Sequence, residues 1–401
     1  MKIRKLFILM LTLFLMQGCH KKKNSLETVL PRKSYEVIKM ANGALVESHV
    51  TSKEGMNDAL QTSTTPNSYG LDLTLHVTVP APAMTMKALC AATPELANAL
   101  PTLKEMLPPA PQEGVKNSSL FYSRLFENKI KMLHYQLSHL GQLPSRESLF
   151  DCQTILPLTN TTTQSTAILV QAIMNVNADG SDGDRNLLLE KLSSTYQPQT
   201  NYRWPKTTSR PNPNINELRE HLALVQKSLS DEKITPEQKS RLALESSSLQ
   251  STLIELERWS FLVGSADPFI VLPKFMLEKI KDGASIGDYA VVLYQGILYP
   301  AIVGDIGPAS KIGEASLRIC RAIDSQSSET HRPLSAPHVS YFIFPGSKDY
   351  PFQAPDYSHW SERCHELWKN LGGSDKVTWH EWEKCDQPWP EIQPQINPDI
   401  S

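Results

Sequence analysis

The chain has 401 residues, with 40 Lys and Arg against 42 Asp and Glu and a formal charge of −2. That balance excludes a strongly basic nucleic-acid binder, because neutralising a phosphate backbone needs clustered positive charge. The 40% apolar and 20% charged fractions fit a globular chain of roughly two or three domains, or one large domain with insertions, and exclude collagen, low-complexity disorder and a polytopic membrane protein.

The N-terminus changes this arithmetic. Lys2, Arg4 and Lys5 precede an apolar run, Leu6 to Met16, that is too short to span a bilayer, and the small Gly18 stands before Cys19. This pattern predicts a signal peptide over residues 1–18. The segment Leu15-Met16-Gln17-Gly18-Cys19 resembles the lipobox of bacterial lipoproteins, with Met16 and Gln17 where Leu and a small residue are common. The resemblance implies lipid on Cys19 and a chain anchored in a bacterial cell envelope, outer membrane favoured, facing the periplasm or the cell surface. The alternative is an ordinary secretory signal beside an incidental cysteine. Removing residues 1–18 takes away three bases and no acid, leaving 37 basic against 42 acidic residues, or −5, a balance that steers toward a cationic partner. An exported compartment permits disulfides, and Cys364–Cys385 and Cys90–Cys152 are the preferred pairs, with Cys320 left as core because it sits in an apolar helical pattern.

Residues 19–70 read as the lipid anchor and a flexible spacer, rich in Ser, Thr and Asn from residue 25 onward. Residues 71–160 form a strand-and-helix region of unassigned role: Leu71 to Val79 alternates with period 2, and Phe126, Ile130, Leu133, Leu137 and Leu140 predict an amphipathic helix over 118–140. A catalytic domain spans 161–350. It opens with a buried strand over 165–176 that runs into the acidic turn Asn177 to Ser181. Leucine seams over 214–259 predict a helical hairpin inserted at 212–260, its second helix opened by Thr235-Pro236-Glu237-Gln238, an N-cap, a proline at the first turn and a capping-box glutamine. Short apolar runs at 269–272, 289–293, 298–303 and 339–344 read as strands, the middle pair joined by Gln295-Gly296, with a helix over Glu314–Ile323. Residues 351–401 are a Trp- and Pro-rich tail whose tryptophans read mainly as packing, with a sugar platform as the lesser reading. His359, Cys364, His365, His380 and Cys385 lie in that tail at no zinc spacing, so no metal and no cofactor is implied. The fold class expected is α+β: a compact β-barrel catalytic part, an inserted helical hairpin and a separate N-terminal helical portion.

The most informative stretch is Tyr299 to Ser316. Asp305 ends a buried strand, glycines and a proline make a tight excursion, and Glu314 opens the next element, so two acids face a shared space as general acid–base work requires. A helix start at Glu314 would keep it ionised as a base, while desolvation would make Asp305 the proton donor. A turn aspartate beside a helix-capping glutamate is the plain structural alternative.

The segment Gly304-Asp305-Ile-Gly-Pro-Ala-Ser-Lys-Ile-Gly-Glu314-Ala-Ser resembles the catalytic segment of the fungal chitosanase family, glycoside hydrolase family 75, and its bacterial relatives. Four more segments resemble the family in order: Ile173 to Ser181, Asp267 to Pro273, Ile286 to Val292 and Tyr341 to Ser347. The resemblance implies a double-psi-like barrel and an inverting endo-hydrolase of β-1,4-linked amino-sugar polymers, with Asp305 and Glu314 as its carboxylates. In such enzymes the two carboxyls stand about 6.5–9.5 Å apart. Asp179, Asp267, Asp288 and Lys311 are the expected substrate-facing residues, the acids suiting a polycationic sugar chain. The sequence departs from the family at Asn177, where Asp is usual, and at Gln171, where Lys is common. The expected partners are an amino-sugar polysaccharide and, through the anchor, a membrane, with no nucleic acid and a monomeric chain. Two alternatives stand beside this reading: a peptidoglycan-directed glycosidase or lytic transglycosylase, and a catalytically silent envelope lipoprotein used for binding or adhesion.

Overall fold

A computed structural model describes residues 33–39, 45–52, 71–108, 119–139, 149–185, 187, 196–231, 233–277 and 283–384. The signal peptide, Cys19, Cys385 and Trp389 therefore lie outside the described residues. The chain divides at Val79 into two units. The first holds an antiparallel sheet of β1 (Lys33–Lys39), β2 (Leu45–Ser52) and β3 (Leu71–Thr78). The alternation over 71–79 identified β3, whereas β1 and β2 fall inside the stretch expected as spacer.

The second unit is built on a closed barrel. Its strands are β5 (Thr166–Asn177), β8 (Phe269–Pro273), β9 (Tyr289–Tyr294), β10 (Ile297–Gly307), β11 (Glu314–Ser316) and β12 (Leu334–Ile343). They pair in the order β5, β12, β9, β10, β8, β11, and β11 returns in parallel to β5, so no edge remains. β10 and β8 are also parallel, and the other barrel pairings are antiparallel. Closure is why these strands read as apolar runs rather than alternating ones: both faces of the wall are covered. One face packs Leu169, Val271, Val291 and Phe342 against α1 (Met86–Ala92), α2 (Leu96–Ala99), α3 (Leu103–Met106) and α8 (Tyr357–Leu371). The other packs Val170, Ile270, Val292 and Tyr341 against α4 (Leu120–His139) and α7 (Leu317–Ile323). The helices upstream of the barrel thus share its core.

β4 (Cys152–Thr159) lies against β5 outside the closed ring. The inserted hairpin forms as expected, with α5 (Ile215–Leu229) and α6 (Pro236–Arg258), and Thr235 and Gln238 make the reciprocal capping box. It is flanked by β6 (Arg203–Pro205) and β7 (Trp259–Phe261), which pair with each other. In the tail, Trp360 and Trp368 on α8 are buried in the core, and β13 (Thr378–Trp379) pairs with β10, so the packing reading holds for them.

Two expectations are corrected. The Cys90–Cys152 bridge does not form, since both are free thiols, as are buried Cys320 and Cys364. Cys364 instead hydrogen-bonds the carbonyls of Ala290 and Ala301 within the wall. The helix expected from Glu314 starts three residues later, because residues 314–316 are captured as β11 by both β5 and β8, and Ser316 caps α7 through the Ile319 N–H at 3.4 Å.

Candidate active site

Asp305 and Glu314 reach one space through a slip of register. Along β10 and β8, Ile302 pairs with Phe269 and Val303 with Ile270, but the next pair is Asp305 with Val271, leaving Gly304 as the extra residue of a bulge. Gly304 is confined to glycine by space: a Cβ there would lie 2.7 Å from the Phe269 side chain. On the other side of β8, Glu314 also pairs with Val271. Residues abreast on neighbouring strands share a face, so the bulge turns Asp305 onto the face that carries Glu314, with two strand spacings of about 4.8 Å between their backbones. Gly307 completes the arrangement, since a Cβ there would stand 2.8 Å from Glu314 Oε2.

Both acids border a cavity of about 580 Å³. Asp305 is 8% exposed, and its Oδ1 accepts from the Asn201 N–H at 2.9 Å while Asn201 Oδ1 accepts from the Ile306 N–H at 3.2 Å. Burial, reinforced by Asp179 and Glu314, pushes its pKa up to about 7 against those hydrogen bonds. Burial also raises Glu314, with Lys311 opposing the shift. No helix N-terminus holds Glu314, so that expected source of its charge is replaced by Lys311.

Asp179 joins them from the turn after β5. Its Oδ1 accepts from the Gln197 N–H at 2.8 Å, its Oδ2 from Asn177 Nδ2 at 3.1 Å, and burial raises its pKa. The turn closes on Gly180, at φ +96°, where a Cβ would come within 1.7 Å of the Leu262 carbonyl oxygen. Asn177 accounts for one departure from the family: a carboxylate there would oppose Asp179, whereas the amide donates to it. Gln171 is the other, and it lies outside the cavity, donating through Nε2 to Leu89 O at 2.9 Å and Thr93 Oγ1 at 3.0 Å on the upstream helices.

Lys311 lines the cavity as expected, but Asp267 and Asp288 do not. Asp267 is fully buried and saturated, taking Arg185 in a bidentate pair at 2.6 and 2.8 Å, the Tyr357 hydroxyl at 2.7 Å and the Val263 N–H at 2.6 Å. Asp288, also fully buried, accepts the N–H groups of Ser285 at 2.6 Å and Lys348 at 3.2 Å and so ties two loops together. Both acids thus serve the fold and not the cavity. The structure adds Asp151, Glu329 and Arg332 to the cavity wall, so five carboxylates face two cations. Asp151 and Asn201 are brought in from segments with no motif, and nothing in their local sequence singles them out. A second cavity of about 400 Å³ shares Gln197, Asp305 and Ile306 with the first and continues the cleft toward Arg203 and Glu255.

Residues 174–372 match the family model described as fungal chitosanase of glycosyl hydrolase group 75. Those residues belong to this family. The chain is accordingly a glycoside hydrolase of the chitosanase kind, and the match begins within β5 and ends just past α8, enclosing Asp179, Asp305 and Glu314. A search of curated proteins finds no match.

Proposed function

We propose that the protein is an inverting endo-hydrolase of a β-1,4-linked glucosamine polymer, held at a bacterial envelope membrane by lipid on Cys19. The observation that carries the reading is that Asp305 and Glu314 flank Val271 on one face of the barrel wall and border the same acidic cavity. Asp305, with its pKa pushed up to about 7, is the general acid that protonates the glycosidic oxygen. Glu314, beside Lys311, is the base that takes a proton from the attacking water on the opposite side of the sugar. Two strand spacings between their backbones fit a water held between the carboxyl groups, as inversion requires. With Asp151 paired to Lys129, the other four carboxylates against two cations favour protonated amino sugars, and the cleft's continuation past Asp305 suits attack within a chain.

The test is release of reducing ends from chitosan and from purified peptidoglycan, with the anomeric form of the first product followed by proton NMR. The reading expects chitosan cleavage with the α-anomer formed first. Cleavage of peptidoglycan alone supports the wall-directed alternative, and inactivity on both supports a binding lipoprotein. Cys19→Ser should release the chain from the membrane fraction.

A further inference from the structure

The loop of residues 308–313, which joins β10 to β11 and delivers Glu314, is gripped from outside the matched segment. Lys129, on α4, is 2% exposed and donates through Nζ to Ser310 O at 2.7 Å and to Asp151 Oδ2 at 2.9 Å. The same Asp151 oxygen accepts the Ile312 N–H at 3.1 Å. Next to Lys129, Asn128 Nδ2 donates to Ala309 O at 3.3 Å, and Ser310 Oγ reaches Met132 Sδ at 3.2 Å. On the far side, Gly313 O accepts the Asn175 N–H at 2.7 Å. Every second residue of the loop or nearer is therefore tied down, and the side-chain tie nearest Glu314 runs through a buried ion pair.

Such a pair is poorly explained by stability. Desolvating both charges commonly offsets their attraction, and Asp151 Oδ1 is buried without a hydrogen-bond partner, a further cost. What the pair does accomplish is geometric, since one carboxylate oxygen receives both the ammonium and the loop's N–H. We propose that Lys129 and Asp151, upstream of the chitosanase-matched residues, are positioning residues that hold the 308–313 loop so that the Glu314 carboxylate meets its water. This rests on the reading of Asp305 and Glu314 as the catalytic pair.

The test uses the full chain with chitosan as substrate. Lys129→Met/Asp151→Leu removes both charges and leaves an apolar contact, so folding is retained while the loop loses two anchors. It should melt near the wild-type temperature, relief of two desolvated charges being set against the orphaned Ile312 N–H, yet show kcat reduced about tenfold or more, with KM within about twofold, because misplacing a reacting group by about 1 Å is that costly. Lys129→Arg, which keeps a donor for both acceptors, should recover most of the rate. Asn128→Ala, on the exposed side of the same loop, should lower kcat by about two- to threefold without changing the melting temperature and keeps the question open to test if the double variant fails to fold. Wild-type kcat in the double variant, beside a dead Glu314→Gln, overturns the positioning role alone. Activity surviving in Glu314→Gln overturns the catalytic assignment and this inference with it.

Discussion

Two sets of aspartates in this barrel have opposite fates. Asp267 and Asp288 are fully buried and surrounded by donors, one by a guanidinium, a phenol and a backbone N–H, the other by backbone N–H groups. Asp305, buried, and Asp179, half-buried, lie beside other carboxylates at the cavity, and burial raises both pKa values, that of Asp305 to about 7; burial raises Asp288 too, but away from the cavity. Residue type is the same in the two sets. Access and neighbouring charge decide the difference: an enclosed carboxylate held by donors is a structural tie, while one beside other carboxylates at an open cavity is placed to exchange a proton.

The largest effect that tests this contrast is on rate. Asp305→Asn and Glu314→Gln should each lower kcat on chitosan by about 10²–10⁴, the range of general acid–base contributions, while the fold survives in thermal melts. Asp267→Asn should do the reverse. It weakens the bidentate grip on Arg185, which keeps Asp182 as a partner, and urea unfolding should show a loss of about 1.5–3 kcal/mol, with kcat of the folded fraction near wild type. Equal effects of the two kinds of variant on rate and stability would dissolve the distinction.

Gly307→Ala is expected to be milder, lowering kcat about tenfold by pushing the Glu314 carboxylate aside while KM changes little. The pH dependence is the finest test. Because Asp305 must be protonated to act as the acid, the rate should fall as pH rises through about 7. Stability carries the same sign: the carboxyl binds its proton more tightly folded than unfolded, so its contribution is full below its ordinary pKa near 4 and is lost as pH rises toward about 7. Asp305→Asn should flatten both trends, and a wild-type alkaline limb unchanged in that variant's residual activity would assign the limb elsewhere.

Much of the barrel was legible because its signals are local. The five family-like segments fall on β5, β8, β9, the β10–β11 excursion and the end of β12, and the Thr235 capping box and the Gln295-Gly296 turn depend on neighbours within a few residues. β11 was not legible, because three residues carry no period and only two partner strands make them extended. Nor was β4, a run with Pro157 inside it, tolerated because the strand lies at the edge of the sheet and pairs only with β5.

By itself the sequence determined the pair Asp305 and Glu314, the acidic turn at Asp179 and the strand-rich character of the catalytic part, since each depends on residue type and short spacing. Tertiary structure alone decided that the Gly304 bulge turns Asp305 toward Glu314, that Asp267 and Asp288 serve the fold, that Asn201 donates to Asp305, and that Lys129 and Asp151 bond the 308–313 loop. Those outcomes depend on which distant backbone groups supply hydrogen bonds and where water is excluded, quantities that exist only once the barrel has closed.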